Sequence, residues 1–333
     1  MIRTTVMVSA VAAFLASASP AMAAPPSTGA GNRAAKTIYF TGPNNYGLGS
    51  VPAGGGVVKR IVSGGVPIST AVDTSGNAYV SVYTVLGSHL DLLKAPVNGS
   101  TPRKIAANVD TPRVTTDDVG STYVWGVNRA VKILPSGKSL ALPVAHDPLA
   151  VTGHGEIVTY HFNADRTTTI VTYHATGQIS ATRRIDLGGA PERAYFANNG
   201  WLYFVAEVGD GTSGRDQVIS LKPGATGPQR IASGNHSVAT AMAPDGSFYV
   251  AQNAAPGSAA VLRYPVGGGA AQRIPTPGLD RGNLSIAVDA ARQIFVASSG
   301  NQPTLMKYPA VGGRPTRIST NGFGAAAGQL LVR

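Results

Sequence analysis

One ten-residue pattern recurs along this chain and limits its fold more than any other feature. It reads Ala71–Val80 (AVDTSGNAYV), Thr115–Val124 (TTDDVGSTYV), Ala241–Val250 (AMAPDGSFYV) and Ala287–Val296 (AVDAARQIFV). Each copy is an apolar segment, a tight polar turn, and a second segment in which an aromatic residue precedes Val. Asp caps its own backbone in such turns and Gly supplies positive φ, so each copy predicts a β-hairpin. A period of this size marks a repeat architecture built from one supersecondary unit.

A second hairpin follows the first. Leu92–Gly99 leads into Arg103-Lys104-Ile105, Leu262–Gly269 into Gln272-Arg273-Ile274, and Met306–Gly313 into Thr316-Arg317-Ile318. Val51–Gly56 leads likewise into Lys59-Arg60-Ile61. Two hairpins make a four-stranded unit. Its second-strand anchors are Tyr39, Tyr79, Tyr123, Val158, Tyr203, Tyr249 and Phe295, spaced as propeller blades are. The copies at Val158 and Tyr203 keep the turn glycine (Gly155, Gly200) without the leading Asp. The first copy starts at its second strand, Thr37–Phe40, and Gly324–Val332 has the spacing of a first strand with nothing after it. The expectation is an all-β, seven-bladed β-propeller of four-stranded antiparallel blades over residues 37–333, closed by a C-terminal strand so that no sheet edge is left open. Six blades is the alternative, because the copy at Val158 is the weakest.

The remaining composition agrees with export. Arg3, the apolar run Val6–Leu15, Pro20 and Ala21-Met22-Ala23 read as a signal peptide over 1–23. The run is too short for a stable membrane span. Residues 24–36, rich in Ala, Pro, Gly and Ser, read as a flexible tether. With no cysteine, lipid attachment, thiolate catalysis, Cys-ligated zinc and iron–sulfur clusters are excluded. A chain of this length buries enough surface to do without disulfides. The expectation is a secreted, extracytoplasmic monomer without a transmembrane segment. Lys and Arg number 27 against 16 Asp and Glu, a net charge of +11. That balance favours a protein, a peptide or an anionic cell-wall polymer as partner. The basic residues form no clustered, aromatic-interleaved stripe, so no nucleic acid is expected.

The hairpins, Ala71–Val80 above all, resemble NHL-repeat propellers, and the resemblance covers about Lys36–Arg333. It implies the propeller fold and a secreted or sensor-type setting. Asn235-His236-Ser237 ahead of Pro244-Asp245-Gly246 is similar to the His-led first strand of streptogramin-lyase-type propellers. That likeness implies a metal-assisted lyase or hydrolase with His236 as its catalytic histidine and a divalent metal as cofactor. Gln252 stands where that family carries a Glu. No other catalytic set, metal site or cofactor is expected.

Propeller ligands sit on the face formed by loops entering first strands and leaving second strands. Here the entering loops supply Arg113, His146, Asp147, Glu192, Arg193, His236, Asp280 and Arg281. The leaving loops supply Asn44, Tyr46, Tyr83, His89, Trp125, His161, Asp165, Glu207, Asp210, Arg215 and Asn301. The expected ligand-binding set is Arg113, Trp125, Asp147, His161, Glu192, Arg193, His236, Asp280 and Arg281, a mixed polar and aromatic surface suited to a peptide, a protein or a cell-envelope glycan. His146, His154, His161 and His174, with Glu156 and Asp165 nearby, match no local metal-ligand spacing, although a propeller could still bring them together around its axis to hold a metal. Gly137-Lys138-Ser139 reads as a hairpin turn rather than a phosphate loop.

Overall fold

The computed structural model describes residues 36–41, 47–62, 65–83, 90–96, 100–109, 113–126, 129–144, 149–208, 215–235, 239–253, 259–266, 269–279, 282–298, 304–310, 314–318 and 330–332. The expected signal peptide and the tether up to residue 35 lie outside them.

The described residues form seven four-stranded antiparallel sheets. Blade 1 holds β1 (Thr37–Thr41), β2 (Leu48–Pro52) and β3 (Lys59–Val62). Blade 2 is β4 (Val66–Val72), β5 (Ala78–Tyr83), β6 (Leu90–Ala95) and β7 (Arg103–Val109). Blade 3 is β8 (Arg113–Thr116), β9 (Thr122–Gly126), β10 (Arg129–Ile133) and β11 (Ser139–Ala141). Blade 4 is β12 (Leu149–Val151), β13 (Ile157–Phe162), β14 (Thr168–Tyr173) and β15 (Ile179–Ile185). Blade 5 is β16 (Ala190–Phe196), β17 (Leu202–Val208), β18 (Arg215–Leu221) and β19 (Gln229–Asn235). Blade 6 is β20 (Ala239–Met242), β21 (Phe248–Asn253), β22 (Ala259–Tyr264) and β23 (Gln272–Ile274). Blade 7 is β24 (Leu284–Val288), β25 (Ile294–Ser298), β26 (Thr304–Tyr308) and β27 (Thr316–Ile318). The last strand, β28 (Leu330–Val332), returns to blade 1 and gives it the order β28-β1-β2-β3.

The seven inner strands touch their neighbours in ring order. Blades 5 and 6 are joined where the Tyr195 hydroxyl donates to the Thr240 carbonyl (3.0 Å). The weak copy at Val158 is a complete blade, which removes the six-bladed alternative. β28 pairs with β1 through Ile38↔Val332, Tyr39↔Leu331 and Phe40↔Leu330. The closing strand is thus the end of the expected segment, whose residues 324–329 lie outside the described set.

In six blades one turn joins the first strand to the second. The Asp73 amide donates to the Asn77 carbonyl (3.0 Å) and the Gly76 amide to the Asp73 carbonyl (2.9 Å). The same two bonds recur from Asp117, Thr152, Ala197, Ala243 and Asp289. The fourth residue must adopt positive φ. Gly supplies it at Gly76 (83°), whereas in blade 7 Arg292 does so at 60°. Asp117 shows what the leading carboxylate adds: it is fully buried, accepts the Ser121 amide (2.7 Å) and the Tyr123 hydroxyl (3.0 Å), and has Lys132 Nζ at 3.7 Å. Blade 4 keeps one such bond, from the Glu156 amide to the Thr152 hydroxyl (3.0 Å).

Anchor residues fill the space between blades. Tyr203 of blade 5 stacks on Phe248 of blade 6 at 4.2 Å and 6°. Leu330 is 6% exposed and packs against Ile38, Phe40, Ala287 and Phe295, which ties blade 1 to blade 7. At the far end of β1, Lys36 pairs with the buried Asp289 of blade 7 (2.7 Å).

A chain ending at Gln329 loses Leu330 and leaves the β1 edge open. Burial of one leucine is worth about 2–3 kcal/mol, so the melting temperature should fall by roughly 5–10 °C. An unchanged midpoint by calorimetry would contradict closure through β28.

Candidate functional site

All seven inner strands line a central cavity of about 840 Å³. Each inner strand runs from the end where loops enter the blades to the end that carries the Asp turns. The two ends differ in chemistry.

At the loop end, two positions of the repeat decide the cavity wall. The first lies two residues after each anchor: Thr41, Ser81, Trp125, Tyr160, Val205, Ala251 and Ala297 in blades 1 to 7. The second is its ladder partner on the inner strand: Ser69, Arg113, Arg193, Ala239 and Ser285 in blades 2, 3, 5, 6 and 7. Small residues occupy both positions in blades 2, 6 and 7. Blades 3, 4 and 5 instead place Arg113, Trp125, Tyr160 and Arg193 there, and all four line the cavity. The repeat needs none of them, because the other blades form the same strands without them.

Local structure brings the four together. Across blade 4, Arg113 of blade 3 donates from Nη1 to the Glu192 carbonyl of blade 5 (3.2 Å). Tyr160 sits in blade 4 between these neighbours, 2% exposed, with its ring edge-on to Phe204 at 5.6 Å. Burial pushes its phenol pKa up, while the guanidinium groups of Arg113 and Arg193 pull the other way. Two donors here have no hydrogen-bond partner among the described residues: the Tyr160 hydroxyl and Trp125 Nε1. A buried, unpaired donor costs about 1–3 kcal/mol, and an anionic guest is one way to recover it. Asp216, 8% exposed, lines the same cavity and adds a carboxylate acceptor.

Of the ligand set read from the sequence, Arg113, Trp125 and Arg193 line the cavity, and Glu192 contributes its carbonyl to Arg113. His161 is exposed at the end of β13 and is not part of the lining. Asp147, His236, Asp280 and Arg281 lie outside the described residues, as do Asn44, Tyr46, His89, His146, Asp210 and Asn301. Tyr83 is exposed at the loop end. Asp165 is engaged in the β13–β14 turn by Thr167 and Arg184, and these bonds hold its carboxyl below the usual range. Glu207 closes the β17 ladder opposite Ala190.

His154 and His161 stand at opposite ends of β13, about 20 Å apart at strand rise. They cannot share an ion. His174 sits in the β14–β15 turn, at the Asp-turn end. Gly137-Lys138-Ser139 belongs to the β10–β11 turn, with the Leu134 amide on the Lys138 carbonyl (2.9 Å).

Sequence reasoning missed Tyr160 and Asp216. Tyr160 could have been found from the repeat alone, since it shares the position of Trp125.

No family model and no curated protein matches the chain. Solved structures match by shape. A protein from Lactobacillus plantarum superposes with TM-score 0.59 at 15% identity, over 90% of this chain and 98% of that one. A streptogramin B lyase gives 0.55 at 11%, over 89% and 91%. Apo AztD from Citrobacter koseri gives 0.55 at 11%, over 90% and 98%. The likeness is one of fold. At these identities it assigns no activity.

The unpaired hydroxyl gives a test that needs no ligand. Tyr160→Phe should change stability by less than about 0.5 kcal/mol or raise it, because no protein bond is lost. Tyr123→Phe, which removes a donor from buried Asp117, should cost about 1–3 kcal/mol. Equal losses in urea melts of the two variants would show that the Tyr160 hydroxyl serves the fold.

Proposed function

We propose that this chain is an exported, NHL-like binding propeller that takes up the acidic group of a peptide or cell-envelope glycan at the loop end of its central cavity. One observation carries the reading: Arg113, Trp125, Tyr160 and Arg193 break the repeat at matching positions in three consecutive blades. Two cations and two residues with unpaired donors among the described residues then line one cavity.

The chemistry follows from the groups present. Arg113 and Arg193 offer forked donors that fit a carboxylate. The Trp125 indole and the Tyr160 phenol present apolar faces with a polar handle, the usual make-up of peptide and sugar sites. Asp216 can receive an N–H or a hydroxyl from the rest of the ligand. A guest with both an acid and a donor fits better than a simple anion. The leader-like pattern of residues 1–23 supports an extracytoplasmic setting.

Calorimetric titration with short acidic peptides and acidic oligosaccharides tests this. The wild-type protein should bind members with a free carboxylate. Arg113→Glu with Arg193→Glu should weaken that binding by at least about tenfold, since it turns two attractions into repulsions. Unaltered affinity in the double variant would contradict the cavity site.

A further inference from the structure

We propose that five consecutive blades carry a second, independent surface: an arc of cations on the outer strands that docks a flexible, base-free linear polyanion. The net charge of +11 is spread along the sequence, yet in the fold part of it falls on one repeated position.

Arg60, Lys104, Arg230, Arg273 and Arg317 are the second residues of β3, β7, β19, β23 and β27. On the third strands they pair with Gly49, Leu93, Ile219, Leu262 and Met306. Those residues pair in turn with the residue after each anchor: Phe40, Val80, Phe204, Val250 and Val296. The five cations therefore occupy the same site of the blade lattice. Directly paired residues share a sheet face, so the five side chains leave equivalent faces. All five are exposed. Their blades are 5, 6, 7, 1 and 2, which are adjacent around the ring. In blades 3 and 4 the position holds Ala141 and Thr182, which gives the arc two ends.

A lysine on a sheet edge is a common guard against edge-to-edge pairing. That role needs no fixed register, and blade 3 does without a cation on its outer strand. The five outer strands contain no Asp or Glu. Lys104 is also held by Asp91 of its own blade (2.8 Å).

The placement favours a chain over a flat surface. These cations lie on the outermost strands, behind turn tips such as Ala53–Gly56 and Pro223–Gly227. A membrane laid against that end would meet the tips first. A polymer running round the edge meets one cation per blade, and repeated weak contacts add as avidity. The outer strands of the arc present no aromatic residue on which bases could stack, which disfavours single-stranded nucleic acid. The repeating acid is a phosphate or a carboxylate.

Long-chain polyphosphate and polygalacturonate, each fluorescently labelled, are the two probes, and they separate these two chemistries. The wild-type protein should bind at least one of them, more tightly as chain length grows. The variant Arg60→Gln, Arg230→Gln, Arg273→Gln, Arg317→Gln should bind at least about tenfold more weakly. Its slope of log affinity against log salt should fall by roughly 3, from four contacts at ~0.7 each. A control with the same charge change outside the arc, Lys138→Gln, Arg166→Gln, Arg183→Gln, Arg184→Gln, should lose less than about twofold. Single Arg273→Gln, with a wild-type melting temperature, should show a partial loss. The proposal is overturned by equal losses in arc and control variants, by affinity independent of chain length, or by no binding of either polymer. Tighter binding to single-stranded DNA or anionic vesicles would also overturn it. Arg113 and Arg193 are intact in every variant, so failure here leaves the cavity site standing.

Discussion

The pairing of three residues at the end of the chain with three near its start is the constraint on which the rest of this structure depends. A sheet alone has two open edges, and seven blades in a row would leave the row itself open. Leu330–Val332 pairs with Ile38–Phe40 and makes the row a ring. Leu330 packs at the same time onto Phe295 of blade 7, so one short strand supplies both the ladder and the apolar contact that joins the ends. The central cavity exists because the ring is closed, and the angles between blades are set by how many there are.

Within that ring, the informative residues are those that depart from the repeat. A lattice position filled by Ser, Ala or Val in most blades shows what the scaffold requires there. Arg113, Trp125, Tyr160 and Arg193 exceed that requirement, and two of them leave polar atoms buried without partners among the described residues. A chain satisfies local rules where it can and departs from them where something else is selected. The outer-strand cations depart in the opposite way, by repeating a charged residue that no interior contact demands. Blades 3 to 5 carry the first departure, and blades 5, 6, 7, 1 and 2 carry the second.

Much of the fold is legible from sequence because its signals are short-range. The Asp-to-Gly turn and the aromatic–Val anchor lie within ten residues of each other, and the split first blade needs only counting. Even the copy at Val158, without Asp or aromatic anchor, forms the same turn from Thr152, because the backbone bonds and the positive φ of Gly155 suffice. The site is only half legible. Placing the loops on one face finds Arg113, Trp125 and Arg193. The same rule selects His161, which is not part of the lining, and passes over its neighbour Tyr160, which is. Asp216 comes from a third strand, which no rule about loops selects. The arc of cations is invisible in the linear charge pattern, since its members are 43 or 44 residues apart within an unbroken run of copies and align only through strand register.

The most direct measurement uses the position of Trp125 in the cavity wall. The chain has two tryptophans. Trp201 lies in blade 5, stacked on Tyr203, so Trp201→Phe leaves Trp125 as the only indole reporter. Emission from this variant should shift saturably on titration with a short peptide bearing a free carboxylate, and should not shift with the amidated counterpart. No shift with either peptide, or the same shift with both, would contradict an acid-binding site at the loop end of the cavity.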